Sequence, residues 1–131
     1  MIQKEQDEGI IKYHGLVNNI MDYEEKSHCI VLPTFHPEGV SNVLLEAAAC
    51  ARPIITTNRS GCRETVDDGK TGYLIREKDS NDLIEKMKLF LELNNEERRN
   101  MGIKGRSKIE KEFDRQIVVE NYIKEIKGIL L

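Results

Sequence analysis

The sequence predicts an open, Rossmann-like α/β sheet, parallel, with helices on both faces. Three observations carry this. Short apolar runs alternate with helical patterns along the first two thirds of the chain. The stretch 43–51 is apolar nearly all round, as a helix buried against a sheet must be. From Asp79 onward, helix start signals recur, each followed by one apolar face. Strands separated by helices imply right-handed crossovers, and crossovers of that hand give parallel pairing.

Residues 10–14 are a candidate strand, followed by Gly15, and residues 18–27 a short helix. Residues 29–32 form a continuous apolar strand stopped by Pro33. The buried helix then begins near Ser41. Pro53-Ile54-Ile55-Thr56-Thr57 is the strongest strand, β-branched and opening on a proline. Asp67-Asp68-Gly69 reads as a turn and Gly72-Tyr73-Leu74-Ile75 as a fourth strand. Asp79 with Asp82 starts a helix carrying Leu83, Ile84, Met87, Phe90 and Leu91 on one face. Asn94 with Glu97 starts another, ending near Phe113. Asp114 starts a last one with Val118, Tyr122, Ile126 and Ile129 in a stripe.

The 131 residues fit one domain, with 39% apolar and 33% charged side chains. A net charge of −3 with interleaved signs excludes the basic face that a nucleic-acid partner needs. Cys29, Cys50 and Cys62 are odd in number and form no C-x-x-C pair. Cys29 and Cys50 lie in apolar runs and read as buried thiols, which points to a reducing cytosol. No run approaches the ~20 apolar residues of a membrane span, and no signal-peptide core opens the chain. Peripheral contact with a membrane stays open.

The chemistry centres on residues 38–50. Ligands of open α/β sheets sit at the carboxyl ends of the strands, and the segment from Pro33 to Ser41 occupies that position. Glu38 and Gly39 precede the apolar helix, and Glu46 lies within it, eight residues after Glu38. The interval alone means little, since Glu77 and Glu85 share it on charged, solvent-facing stretches. Context separates the pairs. Gly39 allows close approach of the backbone to a ligand, and an ionised Glu46 between Leu45 and Ala47 is costly unless paired or facing a cleft. Glu38 as an exposed loop acid, and Glu46 paired with Arg52 or Arg63, are the competing readings.

With the helix starting near Ser41, the N–H groups of Gly39, Val40, Ser41 and Asn42 point towards the strand ends. Orphan amides and the helix dipole hold an anion there without a lysine. Glu46 lies roughly 7–8 Å further along the axis at 1.5 Å per residue. That is about the reach from a β-phosphate to ribose hydroxyls. A carboxylate accepts from both hydroxyls, each bond contributing roughly 1.5–3 kcal/mol. Hexose, diphosphate and ribose thus match the layout in order, as in a nucleotide sugar.

Residues 33–75 resemble the donor-binding half of the retaining GT-B glycosyltransferases of the large family numbered four. The resemblance rests on Pro33-Thr34, Glu38-Gly39, Leu44-Leu45-Glu46-Ala47, Arg52-Pro53-Ile54-Ile55-Thr56-Thr57, Gly61 to Glu64, and Asp68-Gly69-Lys70-Thr71-Gly72-Tyr73-Leu74. Weaker similarity runs from Tyr13-His14-Gly15 to Phe113. It implies that Glu38, the candidate catalytic residue, faces the donor hexose and positions it. It also implies that the amides of Gly39, Val40 and Ser41 meet the distal phosphate, and that Glu46 holds the ribose. Leu16 and Val17 then belong to the base-contacting loop. Ala51 stands where the family usually has glycine, and Val40-Ser41-Asn42 replaces the commoner Phe-Gly-Leu.

The resemblance further implies that residues 1–131 are one partial C-terminal nucleotide-sugar-binding domain, without the acceptor-binding N-terminal domain. The arginine and lysine that neutralise the departing diphosphate in the family have no match, since Lys4 and Lys12 lie in no such motif. The expected activity is hexose transfer from a nucleotide diphosphosugar to an acceptor sugar or lipid-linked sugar, with retention. Cell-surface polysaccharide or glycoconjugate synthesis is the implied setting, in the cytoplasm or peripherally at the inner membrane face. The fragment alone is expected to turn over little or nothing. A non-catalytic half that pairs with a separate acceptor-binding chain is the alternative, and an unrelated flavodoxin-like or regulatory α/β domain a third reading.

No metal or cofactor is expected, since the scheme needs none and no D-x-D motif is present. His36, beside the site, reads as exposed more readily than as a hexose contact. His14 and His28 have no ligand spacing, and Cys50 and Cys62 have no adjacent base. Arg63 and Lys70 read as surface charge.

Overall fold

A computed structural model describes residues 2–35 and 39–113. The elements in order are α1 (Ile2–Asp7), α2 (Ile20–Lys26), β1 (Ile30–Leu32), α3 (Asn42–Ala49), β2 (Ile54–Thr57), a 3₁₀ turn (Arg63–Thr65), β3 (Gly72–Ile75), α4 (Ser80–Glu92) and α5 (Asn95–Glu112). The sheet runs β1-β2-β3, and both pairings are parallel, with Ile30 opposite Ile54 and Ile54 opposite Gly72.

Alternation along the strands divides the core into two layers. On one face Ile54 packs with Leu44, Ala47 and Ala48 of α3, and with Ile30, Leu32, Leu74 and Ile109. On the other, Ile55 and Ile75 pack with Phe90 of α4 and Met101 of α5. Helices therefore cover both faces, as the sequence predicts. Every residue of β2 is buried, the pattern of a central parallel strand.

The helix starts are those the sequence signals. Asp79 caps α4, its carboxylate accepting the Asp82 N–H at 2.9 Å. Asn94 and Glu97 form a reciprocal capping box on α5. At the far end of α3 the chain closes in a Schellman motif. Arg52 N–H donates to Ala47 O at 3.0 Å, and Ala51 N–H to Ala48 O at 2.9 Å. Ala51 sits at φ 57°, the left-handed conformation that favours glycine. Helix α5 passes close beneath this turn: a Cβ on Gly102 would lie 2.0 Å from Ala51 O.

Two expectations need correction, and one helix is new. Residues 10–14 are not a strand: no described strand pairs with them, and Ile10, Ile11 and Tyr13 are exposed. The described sheet thus has three strands. A first helix, α1, forms where no start signal stands. Cys29 and Cys50 are half-buried, whereas Cys62 is the fully buried thiol. The expected helix after Asp114 lies outside the described residues.

Candidate functional site

The loop after β1 leads into α3 at the carboxyl end of the sheet. Ser41 is the helix cap: its Oγ accepts the Leu44 N–H at 3.4 Å, and its carbonyl accepts the Leu45 N–H at 3.1 Å. Its own N–H donates to Gly61 O at 3.0 Å, and the residue is 7% exposed. This corrects one expectation, because the Ser41 amide is engaged by the β2 loop rather than open to an anion. The N–H groups of Gly39, Val40, Asn42 and Val43 have no partner among the described residues. Gly39 and Val40 are exposed, and a Cβ on Gly39 would meet no atom within 4 Å. Among the described residues, no atom closes over Gly39.

Glu46 is half-buried on α3. Its carboxylate has no hydrogen bond or ion pair among the described residues, so neither Arg52 nor Arg63 satisfies it. The charged neighbour it does have is Glu24 of α2. Glu24 is buried, and burial first, then the Glu46 charge, raises its pKa above the usual carboxylate value.

Two groups here escape the sequence reading. Glu24 carries no pattern signal, since Ile20, Met21 and Tyr23 are the residues an amphipathic reading would bury, and all three are exposed. Arg59 follows the carboxyl end of β2 and ties all three strand ends together. Its guanidinium donates to Phe35 O after β1 and lies 3.7 Å from Glu77 after β3. A cation directly after the strongest strand was the available signal.

Glu38 and His36 lie outside the described residues. Leu16 is fully exposed and Val17 half-buried, on a segment joined to α2 by an edge-on contact of His14 with Tyr23 at 4.5 Å. Among the described residues, no hydrogen bond ties Leu16 or Val17 to α3. Arg63 and Lys70 are exposed. Asp67-Asp68-Gly69 forms the turn into β3, with Gly69 at φ 80° and Asp68 Oδ1 accepting the Leu74 N–H at 3.0 Å. Among the described residues, no group of three or more His, Cys, Asp or Glu side chains is placed to hold a metal ion.

Open amides stand at the start of α3, with an unpartnered carboxylate further along the same helix among the described residues. The sequence profile described as Glycosyl transferases group 1 matches residues 1–108. The chain belongs to that family. It is 34% identical over 120 residues to the capsular polysaccharide biosynthesis glycosyltransferase CapM of Staphylococcus aureus, covering 86% of this chain and 31% of that protein. Among solved structures it resembles Anabaena Alr3699/HepE in complex with UDP, with TM-score 0.84 and 18% identity. That match covers 96% of this chain and 35% of the other. It also resembles the C-terminal domain of the group 1 glycosyltransferase LpcC from Francisella tularensis, with TM-score 0.69 and 22% identity. Here 86% of this chain and 60% of the other are covered. At these identities the structural likeness is one of fold, and the fold is that of GT-B glycosyltransferases. The chain spans about a third of the length of CapM.

Proposed function

We propose that this chain is the donor-binding domain of a retaining hexosyltransferase of the family numbered four, acting on a nucleotide diphosphosugar. The observation that carries the reading is Glu46, half-buried and without a protein partner among the described residues, on the helix whose start presents open amides. The amides of Gly39, Val40 and Asn42 take the distal phosphate, Glu46 accepts from the ribose hydroxyls, and Glu38 positions the hexose. Ser41 contributes through its cap, which fixes the direction of the helix start. Leu16 and Val17 stand towards the base. Anabaena HepE is solved in complex with UDP, which supports a nucleoside diphosphate as the ligand class.

As the sugar–phosphate bond breaks, charge builds on the diphosphate. Preorganised amides stabilise that charge without reorganising, the usual source of a large catalytic effect. The scheme uses no metal and no cofactor. An acceptor sugar or lipid-linked sugar is supplied by a second domain, and a separate acceptor-binding chain is the other form of the same arrangement. Likeness to CapM supports a setting in polysaccharide synthesis, and a place at the cytoplasmic side of the membrane is part of the same proposal. No helix among the described residues is long and apolar enough to cross a membrane.

Calorimetric titration with UDP, GDP and their sugars tests the reading. One nucleotide series binds, and Glu46→Ala weakens it at least tenfold, as expected for losing two charge-assisted bonds. Equal binding by wild type and variant would end the ribose assignment.

A further inference from the structure

Glu24 is the one buried residue of α2, at 2% exposure, and neither carboxyl oxygen has a hydrogen-bond partner among the described residues. A buried carboxylate in that state is costly, whereas the neutral acid is far less so. Helix α2 packs against α3. From α3 it is faced by the Glu46 carboxylate and, one turn further on, by the Cys50 thiol. Burial raises the Cys50 pKa, as do Glu24 and Glu25; Arg52 opposes the shift and Glu46 adds to it. A buried carboxyl group beside a second one ionises less readily than either alone. Glu24 is the buried member and Glu46 the half-buried one, so burial favours the neutral acid at Glu24.

We propose that Glu24 is a positioning residue for the nucleotide site, acting through Glu46 by carrying a proton that leaves the pair with a single negative charge. The inference rests on the ribose role of Glu46. The proton exchanges with solvent, and no covalent step is involved. A bound nucleotide covers the α2–α3 surface and desolvates the pair further, so ionised Glu24 opposes binding. Affinity is therefore highest at low pH and falls as pH rises through the raised Glu24 pKa.

The test is the affinity of the 131-residue chain for UDP-glucose and GDP-mannose between about pH 5 and about pH 8. The diphosphodiester of these probes does not titrate there. Wild-type affinity for the preferred probe falls several-fold across the range. Glu24→Gln and Glu24→Leu, which carry no charge at any pH, both keep the low-pH affinity throughout. Affinity that needs Glu46 but is flat with pH in wild type, or that keeps its pH slope in Glu24→Gln, would overturn this proposal alone. Absence of binding, or binding indifferent to Glu46→Ala, would overturn the nucleotide reading and this proposal with it. Carboxyl ¹³C titration of wild type gives a check independent of ligand. A Glu24 resonance that titrates as an ordinary carboxylate, indifferent to Glu46→Gln, would also overturn it.

Discussion

The backbone N–H of Ser41 donates to the carbonyl of Gly61 at 3.0 Å, joining the start of α3 to the loop after β2. Gly61 is itself held by Glu64, whose carboxylate accepts the Gly61 N–H at 2.8 Å. The helix start is thus braced from the neighbouring strand, leaving the flanking amides open. Orphan amides stabilise an anion best when their direction is fixed beforehand.

Removing the cap hydroxyl should loosen this start without closing it. Ser41→Ala is expected to lower stability by about 1 kcal/mol in urea denaturation, the usual size of a lost cap. The Ser41–Gly61 bond is made by the main chain and survives the change. An unchanged urea midpoint would show that the Ser41 hydroxyl contributes nothing to α3.

Gly39→Ala separates binding from folding. A methyl group there meets no atom within 4 Å, so the thermal midpoint should stay within about a degree of wild type. A diphosphate seated against the Gly39 backbone would be crowded by the methyl, and nucleotide affinity should fall several-fold. Unaltered affinity would place the diphosphate elsewhere.

The turn after α3 carries strain that a single substitution relieves. Ala51 at φ 57° should be improved by Ala51→Gly, raising stability by about 1 kcal/mol. Gly102→Ala should cost about 1–3 kcal/mol, since its Cβ would lie 2.0 Å from Ala51 O and the backbones must separate. Chemical denaturation of both variants reads the two signs.

Asp82 gives the pH dependence of the fold. Its carboxylate accepts the Arg76 N–H at 2.8 Å, and this bond, opposed by burial and aided by Lys86 and Arg76, lowers its pKa below 3.8. A depressed carboxylate contributes stability above its unfolded pKa, and that contribution is lost as pH falls through the folded value. Asp82→Asn should therefore cost about 1.5–3 kcal/mol at neutral pH, with the difference shrinking in acid. A variant as far below wild type at acid pH as at neutral pH would contradict the assignment.

Much of this was legible in the sequence because local chemistry and tertiary structure agree. Asp79 and Asn94 mark their helices, and the β-branched run 54–57 is the central strand. Residues 10–14 have the composition of a strand but no neighbour to pair with among the described residues, and pairing is a tertiary property. Glu24 was invisible for a related reason: its burial is imposed by α3, not by the spacing of its own helix. The Ser41 amide read as open because helix geometry alone leaves it so; the Gly61 carbonyl that takes it lies twenty residues on. Glu46 reads in the sequence as a carboxylate that needs a partner or a cleft, and no described residue pairs with it.

The most direct measurement is a ¹H–¹⁵N correlation spectrum of the chain titrated with UDP and with GDP. The predicted result is saturable shifts of the Gly39, Val40 and Asn42 amides, smaller ones at Glu46, and little change along the exposed faces of α4 and α5. Shifts confined to the opposite edge of the sheet, or none with either nucleotide, would contradict a diphosphate seated at the start of α3.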